Sequence, residues 1–129
     1  MSKSLYVLDA SAIMAVVRKE TGCERVEAVM NSALVSSVNF SEVVAKLSDY
    51  GIPIDIVQGQ LSALQLEIID FDTNQALKAG SLRSQTRASG LSLGDRACLA
   101  LALTTGTVAL TADRIWESLD IGADVELIR

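Results

Sequence analysis

Short apolar runs alternate with longer segments of helical spacing along the chain. Five runs are rich in Val, Ile, Leu or Ala and have the length of a buried strand. They cover residues 4–9, 33–37, 66–71, 107–111 and 125–128. Each run except the last leads into a segment of helical spacing, which predicts alternating strands and helices.

The segments between the runs place apolar residues three and four positions apart, which is typical of amphipathic helices. The first two helices are expected over residues 10–20 and 23–31, with a break that includes Gly22. Asn39 is expected to open the third helix, which stops at Gly51.

The second half of the chain predicts four further helices. Pro53 suits the first turn of one, and Asp72 is expected to cap the next, which ends in polar residues before Gly90. Residues 96–106 are almost wholly apolar and predict a buried helix, and residues 112–119 predict a short one.

Alternation of strands and helices with short connections predicts an α/β fold with a central parallel sheet of about five strands and helices on both faces. The 129 residues are 50% hydrophobic and only 4% aromatic, so the core is expected to consist of Leu, Val, Ile and Ala. That length fits a single domain, residues 1–129.

Charge and composition exclude several classes of function. The net charge is −5, so the chain cannot attract nucleic acid by bulk charge and would need a bound cation or a basic partner. Histidine is absent, which excludes Ser-His-Asp hydrolysis, Cys-His proteolysis and zinc sites built on histidine. Any acid/base or metal chemistry must therefore rest on carboxylates.

The two cysteines, Cys23 and Cys98, lie in apolar segments of helical spacing, and we expect two buried, reduced thiols. From Met1 the chain passes into an apolar run that is too short for a signal peptide, and no run approaches the length of a membrane span. We therefore expect a cytoplasmic protein that does not contact a membrane.

Four acids are expected at one edge of the sheet, where parallel strands end and ligands bind. Asp9 ends the first strand, Glu42 lies one helical turn beyond the second, and Asp113 follows the fourth. Asp95 opens the apolar helix that leads into the fourth strand. A helix that precedes a parallel strand starts at the carboxyl edge of the sheet, so Asp95 faces the same rim.

Each acid also has a purely structural explanation. Asp9 and Asp113 could cap the helices that follow them, and residues 39–42 and 92–95 have the spacing of a capping box. As a set, however, four carboxylates on one rim repel each other unless a cation lies among them or some are protonated. Carboxylates and water suit Mg²⁺ or Mn²⁺, and such clusters are the usual machinery of phosphodiester hydrolysis.

Four stretches carry a resemblance to a known family, and together they run through nearly the whole chain. They read "YVLDASAIMAVVRKE", "SSVNFSEVVAKL", "GLSLGDRACLALA" and "TVALTADRIW". The third is the most specific. In these stretches the chain resembles the PIN-domain ribonucleases, and among them the VapC-type toxins of bacterial toxin–antitoxin pairs.

The resemblance implies a three-layer α/β/α sandwich and a metal-dependent endoribonuclease that leaves a 5′-phosphate product. Ser11, Thr111 and Asn39 match hydroxyl and amide positions that would orient carboxylates or metal-bound water. One or two Mg²⁺ or Mn²⁺ ions would be held by Asp9, Glu42, Asp95 and Asp113.

The resemblance also implies partners. RNA would be the substrate, a cognate antitoxin would silence the enzyme, and DNA would be contacted only through the antitoxin. The toxins of this family are usually homodimers held by helices of the N-terminal half. The acidic charge of the chain fits a basic partner segment.

Several residues near the motifs have two interpretations. Arg96 and Arg114 each follow a proposed ligand, and each could contact an RNA phosphate or pair with a neighbouring carboxylate. The ion pair is favoured for Arg96 because it begins a buried helix. Arg83 and Arg87 are expected on a solvated face rather than as guides for RNA, and Trp116 is expected to pack the short helix rather than to stack a base.

Two other functions remain open. A phosphoryl-accepting α/β domain would use Asp9 as its nucleophile, but it needs a lysine near the later strands and none follows Lys78. The second alternative is a catalytically silent PIN module that acts through regulation of an antitoxin and DNA complex.

Overall fold

The computed structural model describes residues 4–129. The expectation that the chain carries no signal peptide concerns a segment that begins at Met1, which lies outside the described residues. A parallel sheet of five strands forms the centre, in the order β3-β2-β1-β4-β5. The strands are β1 Tyr6–Leu8, β2 Ala33–Ser36, β3 Glu67–Ile69, β4 Val108–Thr111 and β5 Asp124–Leu127. The predicted sheet is thus confirmed.

Helices connect successive strands wherever the chain crosses over. The α-helices are α1 Ala10–Val17, α2 Cys23–Val29, α3 Ser37–Asp49, α4 Ile54–Ala63, α5 Thr73–Ser81, α6 Arg83–Thr86 and α7 Leu93–Thr105. Short 3₁₀ helices cover Met30–Ser32, Arg87–Ser89 and Arg114–Ser118. Within the described residues, no helix is both long and apolar enough to cross a membrane.

Side chains that alternate along the strands divide the core into two layers. Leu8, Val35 and Leu110 belong to a cluster with the apolar faces of α1 to α4. Their neighbours Val7 and Leu34, with Ala109 on β4, belong to a second cluster with α5 and α7. Helices thus cover both faces of the sheet, which confirms the α/β/α sandwich.

The strand order reverses at the centre of the sheet. β1 pairs with β2 on one side and with β4 on the other, so the chain leaves β1 in one direction and later returns on its opposite side. Ligands of open parallel sheets bind at such a switch point, outside the carboxyl ends of the strands. Asp9 directly follows β1 at this point.

The prediction that Asn39 opens the third helix is wrong. The helix begins at Ser37, and Ser36 is its N-cap, with the Ser36 hydroxyl accepting a hydrogen bond from the Val38 N–H. Residues 39–42 therefore form no capping box. Strand β2 passes directly into α3, because Ser36 serves both as the last strand residue and as the cap.

Other boundaries move by a few residues. The first helix stops at Val17, and Lys19 adopts a left-handed conformation with φ of 57°. Pro53 is the N-cap of α4 rather than its first residue. Asp72 caps α5 as predicted, but that helix ends at Ser81, and the chain reaches Gly90 through two shorter helices.

Candidate active site

Asp9 is the deepest acid at the switch point, with only 6% of its surface exposed. It is the N-cap residue of α1, yet its side chain does not cap the helix. The hydroxyls of Ser11 and Thr111 both donate to its Oδ2, at 2.8 and 2.9 Å. Because Thr111 ends β4, these bonds tie the two central strands together beneath the site.

The pKa of the Asp9 carboxyl is raised above its ordinary value of 3.8. Burial is the largest cause, since removal from water disfavours the charged form. The hydrogen bonds from Ser11 and Thr111 work in the opposite direction, and the negative charge of Asp95 adds to the increase. Asp9 therefore lies where its negative charge is poorly compensated by the protein itself.

Glu42 lies in the second turn of α3, and its carboxylate contacts the start of α7. The Asn39 side chain donates from Nδ2 to Glu42 Oε1 and to the Gly94 carbonyl oxygen, both at 3.0 Å. Asn39 is fully buried, and its Oδ1 has no hydrogen-bond partner within residues 4–129. The predicted role of Asn39 beside Glu42 thus has a geometric basis that differs from helix capping.

Asp95 lies in the first turn of α7. Ser92 is the N-cap of this helix, and the two residues form the predicted capping box. The Ser92 N–H donates to Asp95 Oδ2 at 2.9 Å, and the Asp95 N–H donates to the Ser92 hydroxyl at 3.1 Å. Asp95 therefore does cap the helix, and this capping uses only one of its two carboxylate oxygens.

A buried thiol shows that three of the acids converge. Cys98 is fully buried, and burial is the main cause that holds its pKa well above the ordinary value of 9.0. The negative charges of Asp9, Asp95 and Glu42 raise it further. These acids come from three different elements, and each lies near enough to Cys98 for its charge to act on the thiol. The prediction that Cys23 and Cys98 are buried free thiols is confirmed.

Asp113 stands at the edge of this group. Its carboxylate is exposed, and Oδ1 accepts a hydrogen bond from the Ile115 N–H at 3.1 Å, so it caps the 3₁₀ helix that follows. Its own N–H donates to the Thr111 hydroxyl, which in turn donates to Asp9. The backbone of Asp113 is thus connected to the centre, while its side chain points to solvent-accessible surroundings.

The nearby arginines do not neutralise the acids. The ion pairs within residues 4–129 are Arg25 with Glu126 and Arg129 with Glu20, and neither involves the four acids. Arg96 instead donates from Nη1 to the Ala79 carbonyl oxygen at 3.1 Å, so the ion pair favoured for it does not form. Arg114 is exposed.

The exposure of three further side chains agrees with the sequence-based expectations. Arg83 and Arg87 are exposed, as expected for a solvated face. Trp116 is 1% exposed and packs against the layer that contains α7, which confirms its predicted packing role.

Each of the four acids has one carboxylate oxygen held by the protein. For Glu42, Asp95 and Asp113, residues 4–129 offer the second oxygen no donor in hydrogen-bonding geometry, whereas Asp9 also receives a hydrogen bond from the backbone of Ala10. Within the same range, no three His, Cys, Asp or Glu side chains lie close enough together to hold one metal ion between them. This arrangement fits a hard cation that takes few carboxylate ligands and keeps several waters, as Mg²⁺ does.

An open groove runs beside Glu42, between α3 and the start of α7. It has a volume of about 560 Å³. Its lining is mostly small or hydroxyl-bearing: Ser37, Val38, Ser41, Glu42, Ala45, Ser92, Leu93 and Gly94. Leu93 is half exposed there. Of the four acids, Glu42 is the one that lines this groove.

Sequence reasoning missed three participants. Ser36 caps α3 in place of Asn39, Cys98 lies among the acids, and Gly94 lies directly against the Glu42 carboxylate. A serine at the end of a strand run is a recognisable capping signal. The contacts of Cys98 and Gly94 depend on packing between elements that are distant in sequence.

Comparison with known proteins identifies the family. Residues 6–122 match the PIN domain family, whose members are nucleases and generally use divalent metal ions. No curated protein matches the sequence.

Solved structures are similar in fold. The chain is similar to VapBC2 from Rickettsia felis bound to a fragment of promoter DNA, with a TM-score of 0.77 and 18% identity over 95% of this chain and 98% of that one. It is also similar to DNA-bound VapBC from Salmonella typhimurium, with a TM-score of 0.75 and 22% identity over 100% of both chains. A toxin–antitoxin complex from Klebsiella pneumoniae is similar with a TM-score of 0.74 and 18% identity, over 96% of this chain and 98% of that one. With its acids gathered at the switch point of a parallel sheet and its sequence matched over residues 6–122, this chain belongs to the PIN-domain family.

Proposed function

We propose that the chain, as a single domain over residues 1–129, is a metal-dependent endoribonuclease and the toxin of a toxin–antitoxin pair. The observation that supports this most directly is the acidic centre formed by Asp9, Glu42 and Asp95. It is gathered from three elements, contains no ion-paired cationic side chain within the described residues, and leaves one oxygen of Glu42 and one of Asp95 without a donor.

The donor set fits Mg²⁺ or Mn²⁺, because carboxylates are the ligands that hard cations prefer. Asp9 and Asp95 would hold the ion, with Glu42 and Asp113 completing the site directly or through water. When bound, the ion lowers the pKa of a water molecule and offsets negative charge on the phosphate and leaving oxygen. It would also relieve the repulsion between Asp9 and Asp95.

The neighbouring side chains would keep the acids in place. The hydroxyls of Ser11 and Thr111 fix one oxygen of Asp9. Asn39 does the same for Glu42, and its own buried Oδ1 is available to accept a hydrogen bond from a water molecule. Substitutions of such supporting residues commonly weaken metal affinity by about 10- to 100-fold.

The substrate would approach along the groove between α3 and α7. Its serine hydroxyls can donate to phosphate or ribose oxygens, and the exposed Leu93 offers an apolar surface for a base. Arg114 is exposed next to Asp113 and is free to contact a phosphate. Arg96 is the weaker candidate, since its guanidinium is directed at the Ala79 carbonyl.

The proposed partners follow from the resemblance and from the neighbouring structures. A cognate antitoxin would bind this chain and contact DNA, since the similar VapBC proteins were captured on DNA. A homodimer through helices of the N-terminal half has the family resemblance as its support.

The test is cleavage of RNA by the purified protein. We expect cleavage in Mg²⁺ or Mn²⁺ that stops with excess chelator, and a loss of roughly 100-fold or more in Asp9→Asn. Asp49→Asn, at an exposed position at the far end of α3, is the matched control and should cleave like the wild type. Sequencing of RNA 5′ ends after brief induction of the wild type and of Asp9→Asn would identify the substrate.

Cleavage that persists in chelator, or in Asp9→Asn, would contradict the proposal. A silent PIN module makes a different prediction: it would bind its antitoxin but show no heat of Mn²⁺ binding by calorimetry.

A further inference from the structure

Gly94 lies directly against the carboxylate of Glu42. A Cβ atom added to Gly94 would overlap Oε1, Oε2 and Cδ of Glu42. The overlapping atoms belong to the end of a flexible side chain rather than to backbone. An alanine here would therefore displace the carboxylate and leave the helix itself in place.

None of the other glycines would place an added Cβ atom against an acid. Six of them, Gly51, Gly59, Gly80, Gly90, Gly106 and Gly122, would have nothing within 4 Å of an added Cβ. Gly22 would meet Ile128, and no acid is among the three atoms nearest to its added Cβ. Gly94 is thus the glycine whose missing side chain makes room for a residue of the acidic centre.

Backbone conformation does not explain a glycine at this position. Gly94 is in the first turn of α7 and is not among the residues with positive φ. Glycine is the least favourable residue in a helix apart from proline, and alanine the most favourable. The helix would gain from alanine, so the space given to Glu42 is the physical reason for glycine.

A hydrogen bond joins the same groups. Asn39 Nδ2 donates both to Glu42 Oε1 and to the carbonyl oxygen of Gly94. The amide thus fixes the distance between the Glu42 carboxylate and the backbone of α7, one residue before Asp95. Without a Cβ at Gly94, the carboxylate can stay within reach of this amide.

We propose that Gly94 is a positioning residue for metal binding, because its missing side chain lets Asn39 hold the Glu42 carboxylate beside Asp95. This inference rests on the proposed metal-dependent function and adds a residue that acts only through Glu42. It makes Gly94 part of the site although glycine has no group that can bind an ion or a substrate.

The experiment measures Mn²⁺ affinity by calorimetry and stability by thermal unfolding, for Gly94→Ala beside Gly59→Ala. Gly59 lies inside α4 with nothing near its added Cβ, so its variant reports the general effect of alanine in a helix. We expect Gly94→Ala to bind Mn²⁺ about 10-fold or more weakly, with no loss of Tm. Gly59→Ala should bind Mn²⁺ as the wild type does.

A double-variant cycle with Glu42→Asp isolates the contact, because the shorter side chain withdraws the carboxylate from position 94. We expect the loss caused by Gly94→Ala to be smaller in the Glu42→Asp background than in the wild type. If Gly94→Ala alone fails to unfold cooperatively, Glu42→Asp should restore the fold of the double variant; failure of both to fold would overturn the inference.

Wild-type affinity in Gly94→Ala, or an equal loss in both backgrounds, would also overturn it. A wild type that binds no Mn²⁺ would instead overturn the proposed function on which the inference rests.

Discussion

Two regions of the molecule treat a carboxylate in opposite ways. In the acidic centre, Asp9 is buried without a cationic side chain, and burial raises its pKa. Arg25 of α2 meets Glu126 of β5 in a second region, which we term the C-terminal clamp and define as Gly22, Arg25, Glu126 and Ile128. There Arg25 pairs with Glu126 and lowers its pKa. Arg25 also donates to the Tyr6 hydroxyl at 3.2 Å.

The glycines of the two regions differ in what an added Cβ atom would meet. Gly22 has φ of 96°, and its added Cβ would meet the Ile128 carbonyl, which is backbone and cannot move away. The Cβ of Gly94 would meet only the carboxylate end of Glu42. A substitution at Gly22 therefore acts on the fold, and one at Gly94 acts on the position of an acid.

The two regions differ in whether the chain itself supplies a positive charge beside the carboxylate. The clamp supplies its own countercharge, so it is complete within the chain. The acidic centre supplies hydroxyls and an amide but no countercharge, and it leaves oxygens without donors. On the proposed function, a bound cation would supply the countercharge that the chain does not supply there.

The largest expected effect is stabilisation by the ion. With Mn²⁺ at about 1,000 times its Kd, the free energy of unfolding should rise by about 4 kcal/mol, because the ion binds the folded chain alone. Chemical denaturation with and without chelator measures this. Glu126→Gln in the clamp should keep the effect, whereas Asp9→Asn should lose most of it. Equal stabilisation of Asp9→Asn and the wild type would remove the distinction between the two regions.

The next effect tests the clamp. Gly22→Ala should lower the free energy of unfolding by roughly 2–3 kcal/mol, since it combines left-handed strain with overlap on the Ile128 backbone. Gly122→Ala is the matched control, because Gly122 has φ of 79° and open space around it, and strain alone should cost about 1–2 kcal/mol. Urea unfolding measures both. Equal losses would show that the contact with Ile128 is unimportant.

The smallest effect is a difference in pH dependence without divalent ions. The folded protein binds the Asp9 proton more tightly than the unfolded chain does, so stability falls as pH rises from about 3.8 through the raised pKa. Asp9→Asn removes this loss and should raise the free energy of unfolding at pH 7, with little change at pH 3; unfolding by urea at the two pH values measures it.

The pKa of Glu126 is shifted in the opposite direction to the pKa of Asp9. Its pKa is lowered by Arg25, so its stabilisation is present above 4.5 and is lost as pH falls through the lowered value. Glu126→Gln should therefore be slightly less stable than the wild type at pH 7, and only slightly because the pair is partly exposed. Parallel pH profiles for Asp9→Asn and Glu126→Gln would contradict the contrast between the two regions.

Much of the fold could be predicted because strand signals are local. Four of the five apolar runs contain an observed strand, and β5 begins one residue before the fifth run. The alternation with helices predicted their parallel arrangement. Helix starts were less certain. Asn39 has the chemistry of a cap, but Ser36 was closer to the strand end and took that place, which freed Asn39 to bond with Glu42 and Gly94.

The sequence by itself determined which chemistry was available and near which edge it would lie. A chain without histidine, with Asp9, Asp95 and Asp113 placed at strand ends or at a buried helix start, had only carboxylates to offer at the carboxyl edge of the sheet.

Only the tertiary structure decided how these groups are used. It directed Arg96 to the Ala79 carbonyl, placed Cys98 among the acids and brought Gly94 against Glu42. The physical reason is that the helix containing Glu42 ends at Asp49 and the helix containing Gly94 begins at Leu93, so 43 residues of sequence, 50–92, lie between them. Contacts between them depend on close packing, for which local sequence patterns carry no signal.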